Sequence, residues 1–367
     1  MFEFLRSAKN ALFDRDTVVA VPAMDGPYKP NNHLEQAERL FGLPDIDNLA
    51  VTSGAAYCTS GSRLYHIDLE PTPAAPVEVN TFEAPIAFLA SGHGDKLAVG
   101  VDSAGVYIGD GSGQWKLLAL APALAACMTA GTFLPDGGLL ICVGSTRNRG
   151  GDWKRDLMQG GSSGLAVIVD SASSAVREIA SGLAFPYGAI FMQDGSVAIS
   201  ESWKHRVIGI GASSGGSAKT IVDDLPGYPA RMAKAPDGGF WLTLFAPRRQ
   251  LFEMLLIEDD FRSEMISSID ASEWIGPDLR FSDAPDQPLQ QGSVRQMGHI
   301  KPWAPSRSYG MVVRCDKAGN PIKSWHSRAD GSLHGVTSVA ERGDSLLVAS
   351  RGAGVVARIS TIGADHD

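Results

Sequence analysis

Short apolar strands recur along the chain, each followed by a polar turn and a second strand of alternating apolar and polar residues. The clearest copies are AGTFLPDGGLLICVGS (130–145), GAIFMQDGSVAISES (188–202) and MAKAPDGGFWLTLF (232–245). Weaker ones are NLAVTSGAAYCTS (48–60), IAFLASGHGDKLAVG (86–100) and TSVAERGDSLLVAS (337–350). Asp-Gly between alternating strands marks a hairpin, because the turn needs positive φ that Gly and Asp tolerate. Six such phrases predict six hairpins. Asp95 and Asp136 are 41 positions apart, and Asp194 and Asp237 are 43. These spacings match the about 40–45 residues of a four-stranded propeller blade. An eight-strand sandwich is the competing all-β fold, and blade-length spacing disfavours it. The pattern therefore predicts an all-β, six-bladed β-propeller over residues 45–361, with an N-terminal extension at 1–44 and a tail at 362–367.

Two spacings are longer. An insertion around 145–161 (STRNRGGDWKRDLMQGG) precedes Asp194. A second, at about 247–308 in blade five, contains the helix-like pieces RRQLFEMLLIEDDF and EMISSIDASEWI. Long insertions lie on a face of the fold and either cover a site or cap the structure. The opening MFEFLRSAKNALF reads as an amphipathic helix and not as a secretory signal, since charges interrupt its apolar pattern. It either packs on the body, mediates a homodimer or touches a membrane surface. The uncharged run 117–134 is about the minimum length of a membrane span. Pro122 and the repeat make it strand, turn and strand, so no membrane span is expected.

Composition changes the picture only at the edges. The 367 residues are 44% hydrophobic, enough to bury a large core. The net charge of -9 excludes nucleic acid as the expected partner, because phosphate binding needs a basic footprint. Cys58, Cys127, Cys142 and Cys315 are widely spaced and read as reduced thiols of a cytoplasmic protein. No Gly-rich phosphate loop is present, and GSSGL (161–165) lacks the strand-to-helix turn a serine nucleophile needs.

The stretches GDWKRDLMQGG, GLAFPYGAIFMQDGSVAISESWKHRVIGI and VDDLPGYPARMAKAPDGGFWLTLFAPRR resemble the strictosidine synthase-like family of six-bladed propellers. SYGMVVRCDKAGNPIKSWH and GVTSVAERGDSLLVAS, in blade six, are similar too. The family is related in fold to gluconolactonases, regucalcin and paraoxonase-like lactonases, many of which hold calcium in the channel. The resemblance implies that metal ligands lie seven positions before the turn Asp. Those positions here are Asp47, Thr129, Tyr187, Ala230 and Thr337, and only Asp47 is a carboxylate. Calcium takes six to eight oxygens and gains affinity from anionic ones, so the expectation is no metal and no cofactor, with a channel calcium as the alternative. The plant synthases use a glutamate for their condensation, and the corresponding position here is Ser338, with Thr337, His334 and Glu341 as neighbours.

The remaining polar groups at the channel mouth are Asp47, Thr129, Tyr187, Arg231 and His334. In the catalytic reading, either His334, oriented by Asp47, or Asp47 itself activates water as the general base, and Arg231 and Tyr187 stabilise an oxyanion. In the structural reading, Tyr187 plugs the channel, Arg231 pairs with a carboxylate between blades, and His334 is a solvated loop residue. Around them Arg147, Arg149, Trp153, Lys154, Arg155 and Asp156, with Arg248 and Arg249, form a basic and aromatic rim. Either it contacts an anionic or aromatic small substrate, through Trp153, Arg155, Arg248, Thr129, Thr337 and Ser338, or Trp153 anchors the loop and the charges are solvated. The expected function is metal-independent hydrolysis of a lactone, ester or similar carbonyl compound. A condensation or lyase step and a noncatalytic small-molecule or protein binder are the alternatives.

Overall fold

The computed structural model describes residues 20–68, 75–213, 216–281, 295–296, 299–300 and 306–361. Six four-stranded antiparallel sheets form the six blades of a β-propeller. Blades one to four are continuous in sequence, running Ile46–Thr81, Ile86–Ala119, Met128–Leu183 and Pro186–Val222. Blade five takes Gly227–Lys234 and Phe240–Pro247, then Met311–Cys315 and Pro321–His326, a pair of strands that the sequence resemblance had put in blade six. Blade six takes Val336–Arg342, Ser345–Ser350 and Val355–Ser360, and its outer strand is Glu38–Gly42 from the other end of the chain. The propeller therefore begins at Glu38 and not at residue 45. This strand closes the ring by antiparallel pairing of Glu38 with Arg358 and Gly42 with Val355. Sequence pattern missed it because ERLFG carries no partner hairpin.

The Asp-Gly turns join the first two strands of their blades. In three of them the Asp carboxylate accepts the N–H two residues on, from Asp136 to Gly138, Asp194 to Ser196 and Asp237 to Gly239, each at 2.9 Å. The intervening Gly137, Gly195 and Gly238 have φ of 87°, 83° and 89°, which a side chain would strain. Each hairpin thus points its turn to one face and the start of its inner strand to the other.

Between the blades lie six apolar layers. Ala130, Leu140 and Ala166 of blade three, for example, pack on Ala189, Val197 and Ile199 of blade four. Burial of a side chain of Leu or Ile size contributes about 1.5–3 kcal/mol, so these interfaces dominate stability. Second strands such as Leu97–Val101 and Leu139–Val143 are continuous apolar runs because both their faces are covered. All four cysteines are buried and free.

Both insertions connect the second strand of a blade to the third, which puts them on the face where the inner strands begin. The first carries the helix Trp153–Met158, and the second carries Gln250–Leu256 and Asp259–Ser268. They share one apolar cluster containing Leu157, Met158, Phe252, Met265 and Trp274 over Tyr228 and Phe245 of blade five. The N-terminal residues 1–19 lie outside the described residues, and with them the expected amphipathic helix and its dimer or membrane roles. Among the described residues no helix is long and apolar enough to cross a membrane.

Candidate functional site

Each inner strand carries an irregularity near its start. In blades two, three, four and six the register skips one residue, at Ala87, Thr129, Tyr187 and Thr337. In blade one it skips between Asp47 and Leu49, and in blade five between Pro229 and Met232, where Arg231 lies. A bulge bends its strand and re-aims a side chain. Asp47, Ala87, Thr129, Tyr187 and Arg231 accordingly line one cavity, of about 250 Å³, at the insertion-bearing end of the channel.

Arg231 crosses the axis. Its Nη1 donates to Asp47 Oδ1 at 2.8 Å, its Nη2 to the Ala87 carbonyl at 2.8 Å and its Nε to the Thr129 carbonyl at 3.2 Å. The guanidinium lies 4.9 Å from the centre of the Tyr187 ring. Asp47 Oδ1 also accepts from the Thr337 hydroxyl at 2.6 Å, and Oδ2 lies 3.5 Å from Arg351 Nη1. Burial would raise the Asp47 pKa, but Arg231, Arg351 and the Thr337 hydrogen bond outweigh it and hold the group below the usual carboxylate range. Asp47 is an ionised anchor for two arginines, which corrects its reading as a base. Arg231 is similarly spent on protein acceptors.

The structure takes His334 out of the site. It is fully buried, away from the cavity lining. Its Nε2 donates to the Arg328 carbonyl at 2.7 Å, and its Nδ1 therefore accepts from the Ser308 hydroxyl at 2.8 Å. Burial pushes its pKa below the ordinary histidine value. It is neither a base nor a solvated loop residue. Arg248 is corrected likewise. It bonds Asp224 at 2.6 Å and the Leu225 carbonyl, with Glu253 of the inserted helix at 3.6 Å, so it fastens the insertion to the propeller. Arg155 stacks 5.2 Å over Trp274 inside the cap, outside the cavity lining. The Ser338 hydroxyl accepts the Leu49 N–H between blades six and one. Thr337 serves Asp47 and does not line the cavity.

Trp153 does line the cavity, with Phe185, Tyr187, Trp203 and Phe245. Phe185 stacks on Trp203 at 4.5 Å, and Trp153 meets Phe245 edge-on at 5.6 Å. Asp156 sets this wall: it accepts from Trp203 Nε1 at 2.8 Å and Asn148 Nδ2 at 2.9 Å. Gly161 must stay glycine, because an added Cβ would lie 2.0 Å from Asp156 Oδ1.

Among the cavity residues that escaped sequence reasoning are Asp102, Trp203 and Arg351. Asp102 and Arg351 directly follow the second strands Leu97–Val101 and Ser345–Ser350, and Trp203 follows Ser196–Glu201 by two. That register position is the signal that would have found them. The Arg351 side chain remains 41% exposed, so it faces the cavity with hydrogen-bonding capacity to spare. Burial would lower its pKa, but Asp47 and the Tyr187 hydroxyl raise it. Among the described residues Asp102 makes no ion pair, and its carboxylate accepts only the Ser103 hydroxyl, at 3.3 Å.

A divalent cation does not fit this axis. Asp47 is the sole carboxylate on the ring and already holds two guanidinium groups, and the Thr129 hydroxyl is turned onto the Pro186 and Cys142 carbonyls. Calcium takes six or more oxygens. Among the described residues, no three His, Cys, Asp or Glu side chains converge to hold a metal.

Comparison with known proteins agrees with this architecture. The chain is similar to a regucalcin of Agrobacterium tumefaciens, described as a calcium-binding protein, at 15% identity and a TM-score of 0.56, covering 88% of this chain and 92% of that one. A luciferin-regenerating enzyme gives 14% identity and a TM-score of 0.59 over 89% and 95% of the two chains. A gluconolactonase of Xanthomonas campestris gives 9% and 0.56 over 90% and 93%. The shared element is the fold. By sequence, the chain is 22% identical to the adipocyte plasma membrane-associated protein of Danio rerio over 249 residues, 62% of this chain and 60% of that protein. The homologue from Salmo salar is 26% identical over 107 residues, 28% and 26% of the two chains. This chain thus matches less than two thirds of either relative's length. No family model matches the chain.

Proposed function

We propose that the cavity receives a small, flat organic molecule bearing a carbonyl or carboxylate, and that the protein hydrolyses an ester or lactone of this class without a metal. The observation that carries the reading is the pairing of Arg351 and Tyr187 on an otherwise aromatic wall. Arg351 is held by Asp47 and beside the Tyr187 hydroxyl, which leaves its remaining guanidinium N–H groups for a ligand oxygen. Phe185, Trp153, Trp203 and Phe245 offer ring faces and edges to a flat apolar body. Water attacks the carbonyl carbon as Asp102 accepts its proton. Arg351 and Tyr187 donate to the oxyanion. The C–O bond then breaks, and the proton passes from Asp102 to the departing alkoxide. Asp102 takes this role as the cavity carboxylate without an ion pair among the described residues. A gluconolactonase named among the propellers of this fold is consistent with the reaction class.

A noncatalytic binder is the second reading. It is favoured by the engagement of Asp47 and His334, the two bases that the sequence suggested, with other groups. The condensation reading loses its support at Ser338, which is occupied by a backbone N–H. Four free, buried cysteines support a reducing, cytoplasmic setting.

The test is a panel of aryl esters and lactones assayed with and without a chelator, alongside Trp fluorescence titration. Turnover that survives chelation and is lost in Asp102→Asn supports hydrolysis. Saturable quenching of Trp153 and Trp203 without turnover makes the protein a binder, and neither signal overturns the site.

A further inference from the structure

We propose that Arg231 is the resident cation of this channel, doing covalently what a divalent ion would do by coordination. This goes beyond the proposed reaction and stands whether the cavity is catalytic or only binds.

The geometry is that of a central ion. One guanidinium draws together the Asp47 carboxylate of blade one, the Ala87 carbonyl of blade two and the Thr129 carbonyl of blade three. Its cation lies against the Tyr187 ring of blade four, and its own backbone carbonyl is held by Thr243 of blade five at 2.9 Å. Blade six joins through Thr337 on the same Asp47 oxygen. All six inner strands or their blades therefore meet one positive charge. The Arg231 and Asp47 side chains are only 9% and 11% exposed, so water screens the pair weakly.

The arrangement also excludes an exchangeable ion. A divalent cation on Asp47 would have to displace a side chain that makes three hydrogen bonds, against the additional repulsion of Arg351 at 3.5 Å. Arg suits the role better than Lys because its planar fork reaches three acceptors in different directions, whereas an ammonium is a compact point charge. An arginine cation cannot be removed by chelation or by any ordinary pH.

The experiment is thermal melting of the full-length protein and its variants with calcium, with chelator and with ethylguanidinium. Wild type is expected to melt at one temperature with calcium or chelator, and calorimetry to detect no calcium binding. Arg231→Ala is expected to melt several degrees lower and to regain part of that loss in millimolar ethylguanidinium, which leaves wild type unmoved. Should Arg231→Ala fail to fold, Arg231→Lys and Arg231→Gln carry the test. Lys keeps the charge that Asp47 needs and Gln does not, so Lys is expected to melt higher. Stoichiometric calcium binding that stabilises wild type overturns the proposal, as does an Arg231→Gln protein that melts at or above Arg231→Lys.

Discussion

Lys154 Nζ lies 2.7 Å from Asp278 Oδ2, joining the insertion of blade three to that of blade five across the cavity mouth. Arg307 approaches the same carboxylate at 3.4 Å, and Arg262 reaches back to the Met158 carbonyl at 3.1 Å. The two insertions thus behave as one cap, with Trp153 and Leu279 on its cavity side.

Removing the link should loosen the cap before it destabilises the propeller. The Lys154 and Asp278 side chains are 22% and 29% exposed, so the pair is worth about 1 kcal/mol at most after solvent screening. Asp278→Ala is expected to speed proteolysis within 250–281 and weaken ligand binding about threefold to tenfold, while global melting shifts little. Limited proteolysis and Trp fluorescence titration check this; an unchanged cleavage rate and affinity would show that the cap does not depend on the bridge.

The loss of His334 as a base gives a clean contrast. Substitution by Asn removes one or both of the buried hydrogen bonds to Ser308 and the Arg328 carbonyl, at a cost of about 1–3 kcal/mol. Turnover or ligand affinity per folded molecule at neutral pH should be unaltered. Urea melts alongside the ester assay separate the two effects, and a large drop in kcat at full folding would restore His334 to the chemistry.

Arg351 should behave in the opposite way. Its side chain is 41% exposed and its contact with Asp47 is long, whereas Arg231 keeps the carboxylate neutralised. Arg351→Met is expected to weaken binding of a carboxylate or carbonyl ligand about tenfold, near 1.4 kcal/mol, with melting changed by no more than a few degrees. Arg351→Lys should recover part of the affinity, since it restores charge without the fork. Equal affinity of all three proteins would remove Arg351 from the ligand contacts.

The fold was legible because each blade opens on one local device, a tight-turn hairpin closed by Asp-Gly in blades three, four and five, which recurs at blade length wherever no insertion intervenes. Counting back from Asp136 and Asp194 also found Thr129 and Tyr187, since a strand of fixed rise carries the register to the far end. In blade five the same count reached Ala230, and the bulge presents its neighbour Arg231 instead. Outer strand Glu38–Gly42 was hidden because its partner lies at the other end of the chain. Roles were less legible than positions. His334 and Arg248 have the right chemistry, but burial against Ser308 and Glu253 decides their use, and those partners are distant in sequence.

A final expectation concerns acid. His326 is fully buried, its ring between the Tyr309 hydroxyl at 3.1 Å and the Ser324 hydroxyl at 2.7 Å. Burial, reinforced by His33, pushes its pKa down to about 4. The unfolded chain takes up this proton near pH 6.5 and the native protein only near pH 4, so the unfolded state binds more protons between those values. Stability must therefore fall as pH drops through this window, by about 2 kcal/mol at pH 5 and about 3 kcal/mol in full, at 1.36 kcal/mol per pH unit. Burial lowers the pKa of His205 and His334 as well, which adds to the same slope. Asp47, with its pKa held below the usual carboxylate range, contributes stability that is lost only at lower pH, below about 4. His326→Gln keeps a donor and an acceptor but cannot titrate, so its urea-melting midpoint should depend less on pH between 6.5 and 4 than that of wild type. Parallel slopes for the two proteins across that window would mean that the native fold does not lower the His326 pKa, since every other titrating group is common to both.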